Sequence, residues 1–141
     1  MKRTASAVWN GDLKSGHGNI STQSGVLDHT QYSFATRFEQ GMGTNPEELI
    51  AAAHAGCFSM AFSMILGLSG LTAESIATTA TVSLEKVGDG FSITASHLDV
   101  TARIPGATQE AFEAAANAAK VGCPISKVLN AAISMTATLE G

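Results

Sequence analysis

The apolar positions of this chain change period along its length, and each change marks an element. Thr4–Trp9 alternates weakly and predicts a strand. Gly11–Gly18 holds three glycines with Asp12 and Ser15, the composition of a loop. Asn19–Ser24 is polar and rich in Ser and Thr, as an edge strand is, and Gly25 and Asp28 mark a turn. Tyr32–Glu39 alternates clearly, with Tyr32, Phe34, Thr36 and Phe38 on one side and Ser33, Ala35, Arg37 and Glu39 on the other, so a strand is expected. Strands this polar are unstable alone, and a second subunit is a plausible support for them.

The period then becomes helical. Asn45 suits a cap, Pro46 the first helical position, and Glu47 and Glu48 the first turn. A helix from Asn45 to Gly67 would be about 35 Å long. Its body, LIAAAHAGCFSMAFSMILGL, is apolar almost all round, which predicts burial on every side or a place in a membrane. The membrane alternative is disfavoured: the run is Ala-, Gly- and Ser-rich, with no Lys or Arg close to either end and no Trp or Tyr belt. Met1–Trp9 has Lys2 and Arg3 but no apolar run after them, so no signal peptide is read there.

After a turn at Leu71–Ala73, Ile76–Lys86 predicts a strand with Ala80, Val82 and Leu84 facing in. Gly88-Asp89-Gly90 is a hairpin turn. Phe91–Ile104 is the partner strand, and a shift in its apolar phase predicts a bulge near Ser96–His97. Thr108–Val121 predicts a helix with Phe112, Ala115, Ala116 and Ala119 on one stripe, and Gly122 at its end. Cys123-Pro124 starts a short helix to Leu129, and Ile133–Leu139 alternates as a last strand. The expected class is α+β with a mostly antiparallel sheet, not a βαβ repeat.

Composition narrows this picture. At 141 residues, one domain spanning 1–141 is expected. The chain is 45% hydrophobic but only 14% charged, a thin surface charge that points to an oligomer. A net charge of −4 with no basic run argues against nucleic acid or an anionic membrane as partner. The two cysteines form neither a CxxC pair nor a metal-ligand set, and without a signal peptide they read as free thiols.

Few residues carry possible chemistry. Cys57 lies about three turns into the apolar helix, where an inert core cysteine is the bland reading. His54 neighbours it at i, i+3, and Glu47 lies on the same helix. Cys123 sits at a helix start, where backbone N–H groups favour a thiolate, although any small residue can occupy a cap. Glu48 stands where a capping box would place it, which leaves Glu47 freer. Arg37 reads as an exposed strand arginine, His54 as a satisfied core histidine. With no ligand-spaced partners for His54, no metal is proposed.

TRFEQGMGTNPEELIAAAHAGCFSMAFS and VGCPISKVL strongly resemble the OsmC family of osmotically inducible and organic-hydroperoxide-resistance peroxidases. STQSGVL, TTATVSLEKV and VWNGDLKSGHG resemble the OsmC branch itself, so the resemblance covers essentially the whole chain. It implies an intertwined homodimer with active sites at the subunit interface. It implies Cys57 as the peroxidatic cysteine, Cys123 as the resolving one, and Arg37 with Glu47 as the charged pair. In the organic-hydroperoxide-resistance branch the arginine comes from nearer the N-terminus, so the role of Arg37 rests on the OsmC branch alone.

The implied chemistry is thiol peroxidation of an organic hydroperoxide in the cytoplasm. Arg37 would stabilise the Cys57 thiolate and Glu47 would hold the guanidinium by a bidentate pair. Cys57 would become a sulfenic acid and condense with Cys123 to a disulfide. A dithiol, by the resemblance of lipoyl type or another small dithiol, would reduce it, with no further cofactor. Two rivals stay open: a thiol hydrolase using Cys57 with His54 as base, and a non-catalytic ligand-binding dimer.

Overall fold

The computed structural model describes residues Met1–Gly141, whose contacts cluster into two compact units, Met1–Leu49 and Ile50–Gly141.

The first unit opens with an antiparallel meander of β1 (Ala5–Asn10), β2 (His17–Thr22) and β3 (Thr30–Tyr32). Its register sets Gly18 between Trp9 and Tyr32. Their rings pack at a tilt of 55° with centroids 5.3 Å apart, and a Cβ on Gly18 would lie 2.7 Å from the Tyr32 ring and 2.8 Å from that of Trp9. Glycine is therefore required there by space. No large apolar side chain of this unit is fully buried, as the polar composition of its strands predicts.

The strand expected over Tyr32–Glu39 is not formed. It stops at Tyr32, and Phe34–Phe38 makes a short helix, α1. Local hydrogen bonds outcompete the alternating pattern. The Ser33 hydroxyl accepts from the Thr36 N–H at 3.3 Å, and the Thr36 hydroxyl accepts from the Ser33 N–H at 2.8 Å, a reciprocal capping box. The buried Asn45 joins the next two segments. Its Nδ2 donates to the Thr36 carbonyl at 3.0 Å, and its Oδ1 accepts from the Glu48 N–H at 2.8 Å. That second bond is the expected cap of α2 (Pro46–Leu68).

The second unit is built on a three-stranded sheet of order β4-β5-β6, from Ser75–Val87, Gly90–Arg103 and Ala132–Glu140. Gly88, at the first central position of the two-residue hairpin turn, has φ +62°, which only glycine adopts freely. The register shifts between Ser83 and Leu84, which pair with Ala95 and Ile93. The extra residue is thus Thr94, slightly ahead of the bulge expected at Ser96–His97. From Ser96 onward every second residue of β5 faces the core: Ser96, Leu98, Val100 and Ala102. The last strand runs parallel to β5, not antiparallel, because the chain between them crosses over through α3 (Gln109–Gly122) and α4 (Pro124–Val128).

The core is one cluster of side chains from α2, β5 and α3. Phe58, Phe62 and Leu66 recur along one stripe of α2, and Phe62 meets Phe58 and Phe112 at 5.7 Å. The small residues Ala115, Ala116 and Ala119 complete the buried stripe of α3, as its periodicity predicts. The expectation that α2 is buried on every side fails in the single chain. Met60, Met64 and Leu68 stand exposed on its other face. By length and composition α2 could cross a membrane; one stripe of it, Phe58, Phe62 and Leu66, is packed into the core.

Candidate active site

The second unit brings the two cysteines together. Cys57 lies mid-way along α2 and is half-buried, whereas Cys123 is completely buried at the junction of α3 and α4. It ends one helix, its N–H bonded to the Ala119 carbonyl at 2.9 Å, and precedes Pro124 at the start of the next. No full capping hydrogen bond joins its side chain to α4, although the first N–H groups of that helix lie near enough to favour a negative sulfur. Both thiols are free, Cys57 packs against the core cluster that holds Cys123, and each bears on the acidity of the other.

Their acidities are pushed apart. Burial raises the Cys57 thiol, and donation of its hydrogen bond to Cys123 raises it further, against a smaller opposing pull from the Ile125 N–H. Burial acts in the same direction on Cys123 but is outweighed. The Cys57 thiol, the Ser126 and Ile125 N–H groups and the Ser126 hydroxyl all support a negative sulfur, so Cys123 falls below the ordinary thiol value. This matches the thiolate-favouring position read from Cys123-Pro124. It also means that the surroundings of Cys57 in this unit do not by themselves activate it.

His54 is fully buried one turn before Cys57. Its Nδ1 bonds the Ser96 hydroxyl of β5 at 2.7 Å and its Nε2 bonds the Ser126 hydroxyl of α4 at 2.8 Å. Burial lowers its pKa, so the ring is neutral at physiological pH. Both ring nitrogens are thus engaged by serines, and neither is left to serve Cys57 as a base. The core-histidine reading holds and the Cys57–His54 hydrolase pair is not formed. Ser96 and Ser126 were not legible as site residues. The only signal was that Ser126 falls three residues after Cys123 at a helix start, where a side chain can reach back to the cap.

The first unit brings Arg37 and Glu47 together. Nε and Nη2 of Arg37 donate to the same oxygen, Oε1 of Glu47, at 3.1 and 2.9 Å. The expected pair forms, but as two donors converging on one oxygen, not as a fork on two. Arg37 sits in the last turn of α1, not on a strand, with its guanidinium 5.3 Å from the Phe38 ring centre. Its side chain is 39% exposed against 12% for Glu47, so the cation is presented and the anion is its support. Beside it opens a cleft of about 220 Å³ lined by Trp9, Leu13, Tyr32, Phe34, Arg37 and Phe38. Apolar walls with one cation suit an organic molecule with a polar, electron-rich end. A larger cavity of about 340 Å³, at the end of the sheet near Glu74, Arg103 and Glu140, holds no thiol.

The sequence model of OsmC-like proteins matches residues 39–138, a span that includes Glu47, Cys57 and Cys123. The chain belongs to the OsmC-like family. This OsmC-like chain is 51% identical over 140 residues to peroxiredoxin OsmC of Escherichia coli K12, covering 99% of this chain and 98% of that protein. It is 35% identical over 101 residues to organic hydroperoxide resistance protein-like 1 of Staphylococcus epidermidis, covering 71% of each. Among solved structures, the organic hydroperoxide resistance protein OhrB of Bacillus subtilis superposes with a TM-score of 0.67 at 26% identity, covering 97% of this chain and 98% of that one. The OsmC-like α+β fold anticipated from the sequence is thereby established. No group of three or more His, Cys, Asp or Glu side chains in this OsmC-like chain is placed to hold a metal ion.

Proposed function

We propose that this protein is a thiol-dependent peroxidase that reduces organic hydroperoxides through a Cys57 sulfenic acid and a Cys57–Cys123 disulfide. One observation carries the reading: two free thiols, one half-buried and one wholly buried, pack in the same core cluster and bear on each other's acidity. The reachable sulfur is suited to meet the peroxide and the hidden one to meet only its neighbour. The relatives named as a peroxiredoxin and as organic hydroperoxide resistance proteins support the same chemistry.

The Cys57 thiolate attacks the outer oxygen of ROOH. The O–O bond breaks, the alkoxide leaves as ROH with a proton, and Cys57 becomes S–OH. The Cys123 sulfur then attacks Cys57, the S–O bond breaks, and water leaves with a proton. A dithiol reduces the disulfide by two exchanges and is itself oxidised. Activation of Cys57 needs a positive charge that its buried surroundings do not provide. Arg37, braced by Glu47, is the group we assign to that role, and the aromatic cleft beside Arg37 is suited to the organic part of the substrate. The exposed Met60, Met64 and Leu68 face of α2 supports a homodimer. The protein acts in the cytoplasm, where a dithiol pool keeps both cysteines reduced.

Mass spectrometry before and after one equivalent of cumene hydroperoxide tests this reading. The expected result is loss of two hydrogens, with Cys57 and Cys123 cross-linked within one chain and restored by dithiothreitol. In Cys123→Ser, Cys57 should carry a trappable sulfenic acid. Two thiols that stay unmodified while the peroxide persists would overturn the proposal and favour a ligand-binding dimer.

A further inference from the structure

The Arg37–Glu47 pair joins two elements, and one of them cannot hold its own place. With five residues, α1 is far too short to be stable as an isolated helix. Arg37 meets Glu47 in one arrangement only if α1 is fixed against the start of α2. The connecting segment is tied back on the first unit by backbone bonds. The Gly41 N–H donates to the Ala35 carbonyl at 3.2 Å, and the Thr44 N–H to the Gln31 carbonyl at 2.9 Å. Neither bond reaches the residues next to the ion pair. Asn45, only 8% exposed, reaches both sides of it. Its Nδ2 donates to the Thr36 carbonyl at 3.0 Å, and its Oδ1 accepts from the Glu48 N–H at 2.8 Å. One side chain thus ties the residue before Arg37 to the residue after Glu47.

The first of these bonds is not explained by capping. The Thr36 carbonyl lies in the last turn of α1, where a helix runs out of its own N–H groups, and Asn45 supplies the donor. To cap α2, Asp or Ser would accept the same N–H about as well. The carboxamide differs in carrying a donor and an acceptor on separate atoms of one short planar group. The donor serves α1 and the acceptor serves α2.

We propose that Asn45 is a positioning residue for the peroxide reaction, clamping α1 to the start of α2 so that Arg37 is held on Glu47 in a single arrangement. The inference rests on the peroxidase reading and on the role assigned there to Arg37, and it names the residue that sets where that cation stands. Misplacing a group by about 1 Å can cost about 10²-fold in rate, so a loosened α1 should be felt in the chemistry.

Two substitutions in the full-length protein separate the clamp from the cap. Asn45→Ser and Asn45→Asp both keep a capping oxygen and lose the amide donor, and the first adds no charge. Each should unfold in urea close to the parent, yet slow the reaction of Cys57 with cumene hydroperoxide by about tenfold or more. The pH midpoint of Cys57 alkylation by iodoacetamide should move upward, in the same direction as in Arg37→Met. In an Arg37→Met background the same two substitutions should slow the reaction no further, because changes that act through one group do not add. Thr108→Ala removes a capping bond of 3.1 Å from α3 and should leave both rate and midpoint at the parental values. Parental rate and midpoint in both Asn45 variants would overturn the inference, as would equal slowing with and without Arg37. Slowing in Asn45→Asp alone would be an effect of its added charge and would also overturn it. If Asn45→Ser does not fold, Asn45→Asp compared in the two backgrounds decides the matter. An Arg37→Met protein as fast as the parent would remove the role of Arg37 and this proposal with it. A parent that forms neither sulfenic acid nor disulfide would instead overturn the peroxidase reading itself.

Discussion

Acid should destabilise this fold through His54, and the effect can be isolated. The folded imidazole is held neutral by burial, its pKa below the ordinary 6.5, while the unfolded chain regains that value. Below pH 6.5 the unfolded state therefore binds a proton that the folded state refuses. Stability contributed by the neutral ring is complete above pH 6.5 and declines as the pH falls toward the folded pKa. For one such site the loss between pH 6.5 and pH 5.5 is at most about 1 kcal/mol, and the slope cannot exceed about 1.4 kcal/mol per pH unit. In a chain of this size each kcal/mol moves the melting temperature by roughly 2–8 °C. The perturbation is His54→Gln, whose amide keeps polar contact with Ser96 or Ser126 but does not titrate in this range. The assay is urea unfolding from pH 8 to pH 5 at fixed protein concentration, with the two stability curves subtracted. Other groups cancel in the difference, and the variant's own loss is a constant offset. The gap between the curves should narrow as the pH falls. Parallel curves would refute the reasoning, because they would mean that the buried ring takes up its proton as readily folded as unfolded.

Three further outcomes are expected. Arg37→Met should slow the reaction with cumene hydroperoxide by orders of magnitude and Glu47→Gln by less, whereas Thr108→Ala should lower stability by ~0.5–2 kcal/mol through the lost cap of α3 and leave the rate nearly unchanged; stopped-flow kinetics and urea melts distinguish the two classes. Phe62→Ala removes a fully buried ring packed on Phe58 and Phe112 and should cost ~3–5 kcal/mol, read by chemical denaturation. Deleting residues 1–36 should give insoluble or unfolded protein by sedimentation and circular dichroism, and a stable soluble monomer would contradict the proposed homodimer.

Much of the fold was legible because its strongest signals are local. Asn45-Pro46 starts α2 and Gly88 turns the hairpin through the intrinsic chemistry of those residues. The buried stripe of α3 follows from helical spacing alone. The errors arise where a competing interaction outweighs a pattern. Ser33 and Thr36 bond each other and wind Phe34–Phe38 into a helix despite its period of two. The bulge falls on Thr94 because register is set by pairing with β4, which the phase of β5 reports only from Ser96 onward. The parallel direction of β6 depends on the crossover through α3 and α4, a fact of topology that alternation does not encode. The four candidate site residues were named from family resemblance, and the structure adds the pairing of Arg37 with Glu47 and the shared core surroundings of Cys57 and Cys123. Ser96 and Ser126 escaped notice because a serine's role depends on what three-dimensional packing places opposite it.

The contact between mid-α2 and the α3–α4 junction also ties redox state to durability. A Cys57–Cys123 bond would fasten the two ends of a segment that contains the β4–β5 hairpin and all of α3, turning nearly half of the chain into a closed ring. For a loop of that length, restriction of the unfolded chain alone is worth about 4 kcal/mol. If that bond forms in the proposed cycle, the oxidised form would be the tougher one, slower to unfold and harder for a protease to enter than the dithiol form. On the proposed cycle, a shortage of reductant would leave a stock of closed rings that a returning dithiol could reopen.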